Sequence, residues 1–133
     1  MSAAETSPDP HEHDTSSAHA GSTLEAPVER VWEMIVSPAG ARVLLGPGAK
    51  FAGKGEPWRS KDGPSGVLRS YHPQEQLRWS WHETPDAPAT IVELDLQPDG
   101  AGTRLDLHHH GVEDPPAYQA RWTSALDRLR AMA

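Results

Sequence analysis

The spacing of hydrophobic residues changes along the chain and divides it into segments. Over residues 26–38, "APVERVWEMIVSP", hydrophobic residues recur every three or four positions, as on one face of a helix. From about residue 49 to residue 110 they largely alternate with polar residues, as in strands that bury one face. Residues 114–132, "DPPAYQARWTSALDRLRAM", return to helical spacing. The pattern therefore predicts helices near both ends of the body and strands between them.

The first helix is predicted to bury one stripe of hydrophobic side chains. Pro27 lies in its first turn, where proline is tolerated, and Pro38 ends it. A short strand at 19–25 is predicted before this helix and a weaker helical segment at 39–46 after it. The stripe consists of Val28, Val31, Trp32, Ile35 and Val36.

The C-terminal helix is the longest predicted element. Asp114 is placed to cap its first turn, and two prolines follow where the helix accepts them. Arg128 and Arg130 lie near its C-terminal end, where the helix dipole is negative. One face should fill the core, and it consists of Tyr118, Trp122, Ala125, Leu126 and Leu129.

The middle of the chain is predicted to form an antiparallel meander. Turn signals at "KDG" (61–63) and "PDGA" (98–101) favour hairpins, and short loops join the other segments. Strands that follow one another through short loops usually pair. The predicted strands are 49–53, 56–60, 66–72, 76–83, 89–97 and 102–110.

This order of elements predicts an α+β fold in which a curved antiparallel sheet wraps around the long C-terminal helix, with two short helices after the first strand.

Four sequence motifs, in their order and spacing, carry a family resemblance: "APVERVWEMIVSP", "GVLRSYHPQEQLRWSWHE", "DGAGTRLDLHH" and "RWTSALDRL". Together they resemble the START-like (SRPBCC, birch-pollen-allergen-like) superfamily, in particular homologues of the heat-shock-protein ATPase activator. The resemblance covers roughly residues 19–132 and implies a helix-grip fold, with residues 19–133 as a single domain. One departure is "ARVLLGPG", where many relatives place tryptophans.

Residues 1–18 differ from this domain in composition. They are rich in Pro, Ser, Ala, His and acidic residues and have no periodic hydrophobic residues, which predicts a disordered tail. The tail contains four of the 19 acidic residues and none of the 12 basic ones, so the body has a net charge of only −3. A body so close to neutral lacks the basic stripe of nucleic-acid-binding proteins.

The absence of cysteine excludes disulfides and thiolate metal sites. No hydrophobic run approaches the ~20 residues needed to cross a bilayer, and the N-terminus does not read as a secretory signal. We therefore expect a cytoplasmic protein without a membrane span. No motif for a cofactor, a phosphate loop or a catalytic nucleophile is visible, and we expect no cofactor.

Three consecutive histidines, His108 to His110, end the last predicted strand. Because strand side chains alternate, His109 should point inward with Leu105 and Leu107, whereas His108 and His110 should point outward. The two outward histidines are about 7 Å apart along the strand, and a zinc site needs further convergent ligands. We predict a polar strand end and no metal site.

His109 has two possible roles. It is either a core histidine that hydrogen-bonds to a neighbour such as Tyr118, or a polar anchor for a ligand in an apolar cavity. The family resemblance implies that the space between sheet and helix holds hydrophobic or polycyclic small molecules. The residues expected to line it are Trp79, Trp81, Val92, Leu94, Leu107, His109, Tyr118, Trp122 and Leu126.

Three function classes follow from the resemblance. The first is a small-molecule-binding protein, of the kind that sequesters a toxic natural product in self-resistance. The alternative is a polyketide cyclase or aromatase, in which His109 and Tyr118 are the candidates for acid–base catalysis. A chaperone ATPase regulator is the least favoured. We expect a monomer or a weak homodimer.

Overall fold

The computed structural model describes residues 16–133. This part of the chain forms six strands and three helices, whose order agrees with the predicted one except that the predicted strand at 49–53 is absent. The elements are β1 (Ala18–Leu24), α1 (Val28–Val36), α2 (Pro38–Leu44), β2 (Pro57–Arg59), β3 (Ser65–His72), β4 (Gln76–Trp81), β5 (Thr90–Asp99), β6 (Gly102–His110) and α3 (Pro115–Met132).

All neighbouring strands pair antiparallel, in the order β1-β6-β5-β4-β3-β2. Strands β2 to β6 form a meander, and β1 completes the sheet by pairing with β6, where Ala18 faces His109. Helix α3 lies beside β1 and β6. The predicted α+β helix-grip fold is therefore confirmed.

The core lies between the inner face of the sheet and the three helices. Alternate residues of β6 are buried in it, including Leu105 and Leu107. Helix α3 contributes the buried residues Trp122, Ala125, Leu126 and Leu129. The carboxylate of Asp114 accepts a hydrogen bond from the backbone N–H of Ala117, as its predicted capping role requires.

The predicted strand at 49–53 is wrong, since residues 49–56 contain no strand. The glycines of this region explain the difference. Gly48, Gly53 and Gly55 all have positive φ angles, which regular strands do not use. The alternation of hydrophobic and polar residues there belongs to a loop that packs Ala49 and part of Phe51 against the core.

Strand β4 is shorter than predicted, because it ends at Trp81 and His82 forms only an isolated bridge to Ser65. The chain then turns away from the sheet through residues 83–89. This early end matters, because it brings Glu83 out of the ladder and towards α3.

The predicted tail, residues 1–18, lies outside the described residues except for its last three. Ser16 accepts a backbone hydrogen bond from Val112 at 2.9 Å. Ala18 is fully buried as the first residue of β1. Strand pairing therefore begins one residue before the predicted domain boundary. Among the described helices, none has the length and hydropathy that a bilayer span requires.

Candidate functional site

His109 occupies the inner face of β6 and is fully buried. Its Nε2 lies 2.7 Å from Oγ1 of Thr90. Its Nδ1 accepts a hydrogen bond of 3.1 Å from Nε1 of Trp122. The rings of Trp81, Tyr118 and Trp122 pack edge-on around it. Both ring nitrogens are thus used inside the protein, and the hydrogen-bonding neighbours are Thr90 and Trp122, not Tyr118.

The protonation of His109 follows from these partners. An indole N–H only donates, so Nδ1 is unprotonated and Nε2 carries the hydrogen that points to Thr90. The hydroxyl of Thr90 then donates to the carbonyl oxygen of Trp81 at 3.1 Å. Burial, reinforced by the positive charge of Arg121, lowers the pKa of His109 to about 4. The imidazole is therefore neutral at pH 7.

One carboxylate oxygen of Glu83 accepts hydrogen bonds from three donors. Its Oε1 accepts from the hydroxyl of Tyr118 at 2.5 Å, from Nε1 of Trp81 at 2.9 Å and from Nη1 of Arg121 at 3.3 Å. Burial raises the pKa of Glu83, but the hydrogen bonds and the charge of Arg121 together hold it below its ordinary value. Burial and the bond to Glu83 raise the pKa of Tyr118 to about 12. Tyr118 therefore keeps its proton at neutral pH.

The nine residues predicted to line a ligand cavity fall into two groups. Three of them, Trp81, Tyr118 and Trp122, border clefts that open to solvent. The other six are buried in the core and border neither of the two clefts described below. These six are Trp79, Val92, Leu94, Leu107, His109 and Leu126.

The first cleft, which we call the helix cleft, lies between α2 and α3 and has a volume of about 380 Å³. It is bordered by residues 42–47, Ser60, Asp62, Trp81 and side chains of α3 from Arg121 to Arg128. Inside its wall the rings of Trp81 and Trp122 are in edge-to-face contact, with centroids 5.4 Å apart. This volume is at the lower end of the range for small-molecule sites.

Sequence reasoning missed the arginines of the helix cleft. Arg42 from α2 and Arg121 and Arg128 from α3 all border it. Arg121 and Arg128 are seven residues apart, about two helical turns, so their shared face was readable from the sequence. The position of Arg42 opposite them depends on how α2 packs against α3, and no local pattern encodes that packing.

A second cleft, the loop cleft, lies on the other side of Trp81 and has a volume of about 390 Å³. It is bordered by Trp81, Glu83, Ala87, Pro88, Thr90, residues 111–114 and Tyr118. Its charged lining residues are acidic: Glu83, Glu113 and Asp114. The two clefts therefore share Trp81 and differ in the predominant sign of their charges.

The outward histidines form a stacked row on the opposite face of the sheet. The ring of His108 stacks on His19 of β1, with centroids 4.5 Å apart, and on His110, with centroids 5.9 Å apart. Nε2 of His110 lies 2.9 Å from a carboxylate oxygen of Glu93. Burial and the neighbouring imidazoles lower the pKa of His108. These contacts make the polar strand end that the sequence predicts. Across residues 16–133, no group of three or more His, Cys, Asp or Glu side chains is placed to hold a metal ion.

Several solved structures are similar to this chain. CalU16 from Micromonospora echinospora has a TM-score of 0.75 and 27% identity, over 87% of this chain and 73% of that one. DynU16, a protein of the dynemicin biosynthetic locus, has a TM-score of 0.75 and 20% identity, over 87% of this chain and 46% of its own. The Aha1 dimer from Colwellia psychrerythraea has a TM-score of 0.69 and 17% identity, over 86% and 92% of the two chains. The last two, below 25% identity, show the fold alone.

Comparison with curated proteins gives no match. The family model described as "Activator of Hsp90 ATPase homolog 1-like protein" matches residues 25–133, from the end of β1 to the end of the chain. The match includes α1, the meander and α3, the same elements that carry the resemblance in the sequence. The chain therefore belongs to the Activator of Hsp90 ATPase homolog 1-like family, within the START-like superfamily.

Proposed function

We propose that this protein binds a planar, polycyclic small molecule in the helix cleft. The observation that carries the proposal is the contact between Trp81 and Trp122 in the wall of an open cleft of about 380 Å³. Both rings are almost completely buried, so they form the rigid apolar backing of the cleft, and the polar groups at its edge would orient a ligand. The arginines and Asp62 are such groups here.

The shape of the cleft is set by rigid parts of the fold. The segment that follows α2 is tied to the β2–β3 connection, since the N–H of Lys61 donates to the carbonyl of Pro47 at 2.8 Å. Trp122 is anchored through His109, and Trp81 through Glu83. A ligand would therefore meet walls that are already in place, which lowers the entropic cost of binding.

The test is a titration with N-phenyl-1-naphthylamine, a neutral aromatic dye, while tryptophan quenching and dye emission are measured. Two variants locate the binding site. Ser124→Phe adds bulk at the border of the helix cleft, and Ala87→Phe adds the same bulk at the border of the loop cleft. We expect Ser124→Phe to weaken binding about tenfold and Ala87→Phe to leave it unchanged. The proposal fails if the dye does not bind, or if only Ala87→Phe weakens it.

The biological ligand is a further part of the proposal. We propose that it is a natural product which the protein sequesters, as in self-resistance. The support is the similarity of fold to DynU16, a protein of the dynemicin biosynthetic locus. Native mass spectrometry of the protein from its own host, compared with Ser124→Phe from that host, tests for a co-purified compound. A mass carried by the unmodified protein and lost in the variant is the expected result.

The cyclase or aromatase alternative receives less support from the geometry. His109 would have to leave two internal hydrogen bonds to reach a substrate, and its pKa of about 4 makes it a weak base. Tyr118, with a pKa raised to about 12, is a poor proton donor at neutral pH. We therefore propose that His109 positions Trp122 and that Tyr118 positions Glu83.

The proposal also includes the oligomeric state of the protein and its location in the cell. A stable protein interface usually has an apolar centre, yet within residues 16–133 Met132 is the one large hydrophobic side chain that is well exposed. We therefore propose a monomer or a weak homodimer, and the Aha1 dimer shows that this fold can self-associate. The same surface gives little support to a chaperone-regulating role. Sedimentation measurements across a concentration range test the oligomeric state. A cytoplasmic location is proposed from the cysteine-free sequence.

A further inference from the structure

The geometry of the helix cleft points to a ligand that carries an anionic group. We propose that Arg42 and Arg128 recognise a carboxylate, phosphate, sulfate or sulfonate attached to the planar ring system. This inference rests on the proposed function, since it assigns the chemistry of the ligand in the same cleft. It adds a specificity that an aromatic wall alone does not provide.

The three arginines approach the cleft from two helices. Arg42 lies in the last turn of α2, and Arg121 and Arg128 lie two turns apart on α3. Arg121 is already held, because it donates to Glu83 and its guanidinium lies 4.8 Å from the ring centroid of Trp81. Arg42 and Arg128 have no ion-pair partner among residues 16–133.

The local charge is opposite to that of the whole protein. The chain has a net charge of −7, yet the helix cleft is bordered by three arginines and one acidic residue, Asp62. Like charges on facing helices repel each other, and an anion between them would relieve that repulsion. Other exposed arginines, such as Arg30 and Arg69, also have no ion pair among residues 16–133. The placement of Arg42 and Arg128 at one cleft is therefore what points to an external partner.

Arginine suits this role better than lysine would. Its guanidinium stays charged at all physiological pH values and offers parallel N–H donors that match the two oxygens of a carboxylate or phosphate. It also stacks on flat rings, as Arg121 does over Trp81. A ligand with both a planar ring and an acidic group would use both properties at once.

The loop cleft provides an internal comparison. Its volume is nearly the same and it shares Trp81, but it is bordered by Glu83, Glu113 and Asp114. An anionic ligand would be repelled there. The charge of the ligand therefore decides which side of Trp81 it occupies.

The test compares two dyes that share a ring system. 8-Anilinonaphthalene-1-sulfonate carries a sulfonate that N-phenyl-1-naphthylamine lacks. Each dye is titrated into the full chain and into the Arg42→Gln/Arg128→Gln variant. Arg30→Gln/Arg69→Gln, which removes two exposed arginines that do not border the helix cleft, is the matched control for net charge. All these arginines are exposed, so the variants should fold normally, and melting curves check this.

We expect the sulfonate dye to bind at least tenfold more tightly than the neutral dye, with an affinity that falls as salt rises. Arg42→Gln/Arg128→Gln should remove that advantage, and the control pair should retain it. The inference is overturned if both dyes bind equally, or if the control pair loses as much affinity as the cleft pair. It is also overturned if Ser124→Phe leaves binding of the sulfonate dye unchanged. Binding of the neutral dye alone would leave the proposed function standing without the anion site, whereas binding of neither dye would contradict both.

Discussion

Trp122 and His109 satisfy each other's hydrogen-bonding groups inside the core. The indole N–H of Trp122 donates to Nδ1 of His109 over 3.1 Å, and both side chains are almost completely inaccessible to solvent. A protonated His109 would direct its own N–H at that indole N–H, so the pair is compatible only with a neutral ring. The most conspicuous histidine of the sequence therefore supports the wall of the helix cleft from behind.

Replacing His109 should lower the free energy of unfolding more than replacing its neighbour His108 does. His109→Ala removes a packed ring and leaves the indole N–H of Trp122 buried without an acceptor. We expect it to lower the free energy of unfolding by about 2–4 kcal/mol. His108→Gln changes a half-exposed position on the other face, and we expect no more than about 0.5 kcal/mol. Urea denaturation of both variants measures the difference, and equal costs would contradict the inward position of His109.

The titration of His109 should make the stability of the protein depend on pH. Its pKa is about 4 in the folded protein and near the ordinary 6.5 in the unfolded chain. Between these values the unfolded chain binds the proton and the folded protein does not, so stability falls as pH decreases from 6.5 to 4. A pKa difference of this size corresponds to up to about 3 kcal/mol.

The control for this prediction is His109→Gln, whose stability is measured over the same pH range. The difference between the two proteins should shrink as the pH falls, because the variant has no imidazole at this position to titrate. The depressed pKa values of His108 and of the carboxylates Glu83, Glu93 and Asp106 act equally in both proteins and cancel. A difference that is independent of pH would show that His109 titrates normally.

The sequence predicts much of this fold because its signals are local. Alternation along β6 places His109 inward and its two neighbours outward, and helical spacing identifies the buried face of α3. Where the prediction is wrong, at 49–53, alternation is present but glycines with positive φ angles exclude a strand. The spacing of hydrophobic residues alone does not show that the backbone at these glycines needs positive φ angles.

The candidate site is less predictable, because it depends on contacts between distant segments. Thr90 meets His109 across the β5–β6 end of the sheet, and Glu83 meets Tyr118 only because β4 ends early. Arg42 reaches the helix cleft through the packing of α2. Residue type and spacing suggest which side chains are chemically interesting, but they do not specify which of them share a cleft.

Two tryptophans offer a matched test of the buried hydrogen bond. Nε1 of Trp79 is buried and has no hydrogen-bond partner in the described part of the chain, whereas Nε1 of Trp122 donates to His109. Phenylalanine at either position leaves a similar void, but only Trp122→Phe deprives an acceptor of its donor. We expect Trp122→Phe to cost about 1–2 kcal/mol more than Trp79→Phe in urea denaturation. Equal costs would mean that the bond to His109 adds nothing to stability.

The N-terminal boundary can be tested by two deletions. From its composition we propose that residues 1–15 add nothing to the stability of the domain, so their removal should leave the melting temperature unchanged. Removal of residues 1–17 also deletes the acceptor of the Val112 N–H and the hydroxyl of Ser17, which lies 3.2 Å from Nδ1 of His110. We expect the longer deletion to cost about 1 kcal/mol. A large loss on the shorter deletion would place residues 1–15 within the domain.

The border of the helix cleft depends on the absence of a side chain at Gly46. This residue has a φ of +116°, and a Cβ there would collide with Oγ of Ser60 and approach its Cβ to 2.8 Å. Gly46→Ala should therefore combine backbone strain with a steric clash, and we expect it to cost about 2–4 kcal/mol. Gly55 also has a positive φ, +85°, but a Cβ there meets nothing within 4 Å. Gly55→Ala should show the backbone strain alone, about 1–2 kcal/mol.

The two glycine variants also distinguish an effect on the shape of the helix cleft from an effect on the stability of the protein. If Gly46→Ala pushes Ser60 away from the end of α2, the cleft changes shape, and the affinity for N-phenyl-1-naphthylamine should change with it. Gly55→Ala lies away from this border and should leave that affinity unaltered at a temperature where both variants are folded. Ser60→Gly removes the atoms that clash but also the acceptor of the Asp62 N–H, so Gly46→Ala is compared in the wild-type and in the Ser60→Gly background, where it should cost less. An equal cost in both backgrounds would mean that the φ angle of Gly46, and not its contact with Ser60, causes the loss of stability.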